Sequence, residues 1–127
     1  MNKYIKILYV EDDKQIRNEL FKTLEFDFDE VLTAVNGEEG LKLFKGNQPD
    51  LVISDIQMPK MDGISICKEI QKIINKDTEF ILTTAFNETN FRDKAQSLGT
   101  ENHITKPINI KKLYTHIENC CKQIKGK

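Results

Sequence analysis

The sequence predicts an α/β protein: a doubly wound, five-stranded parallel sheet with five helices on its two faces. Three observations predict it. Short apolar runs alternate with amphipathic stretches of helical period along the whole chain. Regular strand–helix alternation builds a parallel sheet with right-handed crossovers. The runs "ILYV", "LVIS" and "FILTT" are nearly continuous in apolar character, as strands covered on both faces require.

Tyr4–Val10 reads as the first strand, and Asp13 is a candidate cap for the helix that follows. Ile16, Leu20 and Leu24, four apart, give that helix one apolar face over Lys14–Phe26. Glu30–Ala34 is the second strand, and Gly37–Gly46 a short helix with Leu41 and Phe44 inward. Leu51–Ser54 is the third strand; Cys67, Ile70 and Ile74 share a face on the helix over Ile64–Asn75. Glu79–Ala85 is the fourth strand, followed by a helix over Glu88–Gly99 with Phe91, Ala95 and Leu98 inward and Gly99 as its stop. Asn102–Thr105 is a short fifth strand. The last helix, Asn109–Ile124, turns Ile110, Leu113, Ile117, Cys120 or Cys121, and Ile124 inward.

Bulk properties fit one domain over residues 1–127, a length near the usual domain size. Lys plus Arg is 19 and Asp plus Glu is 20, so the basic footprint of a nucleic-acid binder is absent. No apolar run approaches the roughly 20 residues that span a membrane, and the N-terminus lacks a signal-peptide core; a cytoplasmic protein is expected. Cys67, Cys120 and Cys121 form no CxxC pattern, which argues against a disulfide framework or a zinc site.

The chemistry gathers where the strands end. Glu11, Asp12 and Asp13 follow the first strand, and Asp55 the third. The fourth closes on Thr83-Thr84-Ala85, and Thr105-Lys106-Pro107 follows the fifth. A parallel sheet brings all of these to one edge, where ligands sit in open α/β folds. Carboxylates grouped there repel unless a cation joins them, and oxygen-only ligands suit Mg²⁺. A lysine and a threonine at the same edge complete a phosphate-binding set. Each element alone is weak, since acids also cap helices and Lys-Pro is a common turn; their order along the chain is what carries weight.

With "ILYVEDD", "PDLVISDIQMPKMDG", "LTTA" and "ITKP" in place, the chain resembles the receiver domain of two-component response regulators over roughly Lys3 to Ile124. The resemblance implies a flavodoxin-like fold with strand order 2-1-3-4-5. It makes Asp55 the phosphoacceptor, with Thr84 and Lys106 against the phosphoryl group. Glu11, Asp12, Asp55 and the backbone carbonyl of Gln57 would hold Mg²⁺, for which Mn²⁺ can substitute. The Lys106–Pro107 bond would be cis, and Thr84 and His103 would form the switch. Implied partners are a sensor histidine kinase or phosphotransfer protein, and a downstream protein on the surface of the fourth helix, fifth strand and fifth helix. No direct nucleic-acid contact, no membrane insertion, and a monomer or phospho-dependent dimer are expected. Function is signalling rather than enzymatic, apart from the domain's own phosphorylation and dephosphorylation.

Two positions depart from the commonest family pattern: Glu11 stands where Asp is usual, and His103 where Tyr or Phe is usual. Phe86, two residues past Thr84, is expected to shield the phosphoryl group from water. A flavodoxin would need a glycine- and hydroxyl-rich loop where "EDDK" stands, and a phosphatase of the haloacid dehalogenase type would need an acid at Gln57. The chain reads as a stand-alone regulator; the alternative is the N-terminal module of a longer regulator or hybrid kinase.

Overall fold

The computed structural model describes residues 4–56, 63–72, 78–84 and 103–123. In order these form β1 (Lys6–Val10), α1 (Lys14–Asp27), β2 (Glu30–Ala34), α2 (Gly37–Asn47), β3 (Leu51–Asp55), α3 (Gly63–Gln71), β4 (Glu79–Thr84), β5 (His103–Thr105) and α4 (Ile110–Gln123). All the strands pair in parallel, in the order β2-β1-β3-β4-β5. The helix expected over Glu88–Gly99 lies outside the described residues.

Alternation along the strands sorts the apolar side chains into two cores. Ile7, Tyr9, Leu51, Ile53 and Ile81 join Leu20, Leu24, Phe28, Leu113 and Ile117 on the α1 and α4 side. Leu8, Val10, Val52 and Phe80 join Phe44, Ile66 and Ile70 on the α2 and α3 side. Each such side chain, fully buried, stabilises the fold by roughly 1.5–3 kcal/mol before entropy is counted. Both faces of β1 and β3 are therefore covered, and at the carboxyl edge the chain passes from these apolar runs to Glu11 after β1 and Asp55 at the end of β3.

Local chemistry fixes the helix ends. Asp13 Oδ1 accepts the Ile16 N–H at 2.9 Å and starts α1. Asn36 does the same for Glu39 at 2.9 Å, while Glu39 Oε1 accepts the Val35 N–H at 3.1 Å. Gln48 ends α2 in the left-handed region at φ 50, and Pro49 prevents continuation.

Three sequence expectations need adjustment. β1 begins at Lys6 rather than Tyr4: the buried Asp50 carboxylate takes the Lys6 N–H at 2.9 Å, and the Lys6 carbonyl accepts the Asp50 N–H at 2.8 Å. β3 runs one residue further than expected, because Asp55 itself pairs with Thr83 of β4. Ile110 is not inward. It belongs to neither core and is 42% exposed, lining an open groove with Ile16, Leu20, Thr23, Pro107 and Ile108. Of the two adjacent cysteines, Cys120 is buried in the core and Cys121 packs half-buried against it. No described helix is long and apolar enough to cross a membrane.

Candidate functional site

β1 and β3 lie side by side, but the chain leaves them toward opposite edges: β1 leads to β2, and β3 to β4. The carboxyl ends of such a pair flank a crevice. Glu11 leaves β1 directly into it. Its N–H donates to the Ala34 carbonyl at 3.1 Å, and its side chain is fully buried. Asp12, the next residue, is exposed. Arg17 of α1 reaches back, donating from Nη1 to the Glu11 carbonyl at 2.8 Å, and so fixes this loop. On the β3 side, Asp55 is buried, and the Ile56 N–H binds the Thr83 carbonyl at 2.8 Å.

Glu11, Asp12 and Asp55 each offer a carboxylate oxygen, all within 4.8 Å of one another. Negative charge packed that closely in a poorly solvated crevice demands a cation. Lys106 answers it. Its Nζ lies 2.7 Å from Glu11 Oε1 and 2.9 Å from Asp55 Oδ2, with the side chain only 15% exposed. β4 stands between β5 and β3, so the lysine stem must cross a strand end to reach both acids. A backbone hydrogen bond of 2.6 Å, from Lys106 N–H to the Thr84 carbonyl, anchors the start of that path. The Lys106–Pro107 peptide is cis.

Burial pushes the Glu11 carboxyl above its ordinary range, against the opposing pull of Lys106 and the Asp13 N–H. For Lys106, burial alone would lower the ammonium's pKa; hydrogen bonds and charge from Glu11 and Asp55 outweigh it and raise the value, so the ammonium stays charged. The donor set is carboxylate oxygen throughout, without cysteine or histidine, and fits a hard divalent cation.

Of the residues singled out from sequence, Glu11, Asp12, Asp55 and Lys106 converge. Thr84, buried, ends the adjacent strand and is tied to Lys106 by backbone. Gln57 and Phe86 lie outside the described residues. For His103 the backbone is described, pairing with Leu82, and the side chain is not. Sequence reading missed Arg17, whose position one turn into a helix behind three acids was a usable signal. It also missed Tyr9, whose buried hydroxyl lies beside Glu11 without good hydrogen-bond geometry; the Thr83 hydroxyl, at a strand end the sequence did single out, is buried without a partner among the described residues.

Residues 7–118 match the family model described as the response regulator receiver domain. The chain belongs to the receiver-domain family. This receiver domain is 37% identical over 118 residues to the "Probable transcriptional regulator ycf27" of Porphyra purpurea, covering 93% of this chain and 48% of that protein. It is 36% identical to the N-terminal domain of an uncharacterized protein from Wolinella succinogenes, with a TM-score of 0.86 over 93% of this chain and 94% of that one. A response regulator receiver domain protein from Clostridium thermocellum gives 33% identity and a TM-score of 0.86, over 94% and 95%. The chain spans about half the length of the curated relatives it matches. Receiver domains are signalling modules: they accept a phosphoryl group in two-component systems, work with histidine kinases and downstream effectors, and bind Mg²⁺ at an acidic pocket.

Proposed function

We propose that Asp55 is the phosphoacceptor and that Lys106, Thr84, Glu11 and Asp12 form its machinery. One observation carries this reading: a single ammonium bridges the β1 acid and the β3 acid at the crevice of the sheet. A carboxylate oxygen of Asp55 attacks the phosphorus of a phosphohistidine donor. An O–P bond forms, the P–N bond breaks, and the departing imidazole keeps the electron pair and takes up a proton. Lys106 offsets charge on the transferred oxygens, since phosphoryl transfer depends on positioning and electrostatics. Thr84 offers a hydroxyl to the same group. Glu11, Asp12, Asp55 and the Gln57 carbonyl would hold Mg²⁺, or Mn²⁺ in its place. The ion would supply Lewis-acid neutralisation of the phosphoryl oxygens.

The donor is a sensor histidine kinase or a phosphotransfer protein. The output surface comprises the helix expected over Glu88–Gly99, β5 and α4, with Thr84 and His103 as the switch, acting on a protein partner in the cytoplasm. The whole protein is read as a stand-alone regulator; the match to about half of each curated relative is compatible with the alternative, the receiver module of a longer regulator. Incubation with acetyl phosphate tests the chemistry: phosphoryl incorporation should need Mg²⁺ and vanish in EDTA. Incorporation that is indifferent to EDTA contradicts the metal-dependent reading.

A further inference from the structure

We infer that the Tyr9 hydroxyl is a positioning group for Glu11, the neutral donor that holds its carboxylate once Lys106 has been drawn away. The inference rests on the metal-binding reading proposed above and deepens it.

Tyr9 lies on β1 two residues before Glu11, and its side chain is entirely buried in the core shared with α1 and α4. Its hydroxyl reaches the underside of the acidic crevice. The Glu11 and Asp55 carboxylates both act on it there, adding to burial in raising the phenol's pKa. Glu11 stands close enough to be its acceptor, yet the contact falls short of good hydrogen-bond geometry, and the hydroxyl has no other partner among the described residues. Such a group is a net cost in a resting core, where a phenylalanine ring would fill the same space without it.

The hydrogen-bond partners of Glu11 show what the hydroxyl can do. In this structure Oε1 is held by the Lys106 ammonium at 2.7 Å, and Oε2 by the Asp13 N–H at 3.2 Å. A cation among Glu11, Asp12 and Asp55 would repel an ammonium lodged between two of its own ligands. Lys106 would then swing toward the open side of the crevice, whether or not a phosphoryl group is there to receive it, and leave Glu11 without its strongest donor. A buried carboxylate that loses a donor swings or protonates, and either weakens it as a ligand. A phenol carries no charge, so it can donate to Glu11 beside a cation where an ammonium cannot. The exchange needs a change of donor and no change of fold.

The two states make the test discriminating. The chain has three tyrosines and no tryptophan, so near-ultraviolet absorbance follows tyrosine directly. Titrating the native protein with MgCl₂ should red-shift one tyrosine band, as a phenol does when it begins to donate to a carboxylate. In Tyr9→Phe that difference band should be absent. The dissociation constant for Mg²⁺, measured by calorimetry, should rise about tenfold, the size expected of a hydrogen bond to a charged acceptor. Thermal stability in EDTA should be unchanged or higher, because the hydroxyl is idle there. A Tyr9→Phe protein that binds Mg²⁺ as the native does, or that loses stability in EDTA with its affinity intact, overturns the inference alone. A native protein that takes up no Mg²⁺ overturns the metal-site reading as well. Should Tyr9→Phe fail to fold, the native spectrum decides: saturation with Mg²⁺ and no tyrosine shift contradicts the role of Tyr9.

Discussion

Replacing Lys106 with methionine keeps the stem and removes the charge. In EDTA this strands Glu11, fully buried, beside Asp55, nearly so. Removing one partner of a sealed ion pair costs about 3–5 kcal/mol. Lys106 keeps 15% exposure and Asp12 is exposed, so water reaches one side of the cluster and the lower end, about 3 kcal/mol, applies. For a chain of this length that is a fall in Tm of roughly 10 °C. The loss should depend on pH with a definite sign. Burial already raises the Glu11 carboxyl, and Lys106 opposes it; without the lysine the carboxyl rises further. A carboxyl raised in the folded state stabilises the fold fully below its unfolded value, about 4.3, and that contribution disappears as pH rises through the folded value. The deficit of Lys106→Met should therefore be greatest near neutrality and shrink toward acid. Urea denaturation in EDTA at a series of pH values measures it. A deficit below about 0.5 kcal/mol at neutral pH, the size of an exposed pair, would refute the reasoning. So would a deficit that grows on acidification.

Thr83→Val removes a buried hydroxyl without a partner among the described residues and should raise stability by about 1 kcal/mol in urea; a loss of that size means the hydroxyl is bonded. Gly40→Ala should destabilise despite the better helix propensity of alanine. The new Cβ would meet Val10 Cγ2 at 2.9 Å, and overpacking a stiff buried side chain costs about 1–3 kcal/mol against roughly 1 kcal/mol gained. Burial pushes the Cys120 thiol up to about 12, so peptide mapping after brief alkylation of the native protein at mildly alkaline pH should find Cys120 unmodified; ready modification there would contradict its burial.

Much of this was legible in the sequence for identifiable reasons. The sequence places β2 at Glu30–Ala34, as observed, because "EVLTA" sits between two stretches of helical period. Strand ends carrying Glu11, Asp12, Asp55 and Lys106 could be assigned to one edge because parallel strands share an edge. The order of residue types marks that edge as the candidate site. What stayed hidden depends on distance in the chain. The bond from Lys106 to Glu11 joins residues 95 apart, and no local pattern encodes it. Ile110 misled because helical period cannot tell a core face from a groove. Tyr9 read as one more strand apolar, since the sequence shows the ring and not where its hydroxyl ends. Asp50 follows Pro49 just ahead of β3, and its grip on Lys6 of β1 is visible only once β1 and β3 are paired.

The most direct measurement is the identity of the phosphorylated residue. The protein should be treated with acetyl phosphate and Mg²⁺, trapped at low temperature and mapped by peptide mass spectrometry. Asp55→Asn, which keeps the shape of the site and removes the nucleophile, should be run beside it. One phosphoryl group on Asp55, labile as an acyl phosphate and absent from Asp55→Asn, is the result predicted. A phosphoryl group on any other residue of the native protein, or equal labelling of Asp55→Asn, would contradict the assignment of this site.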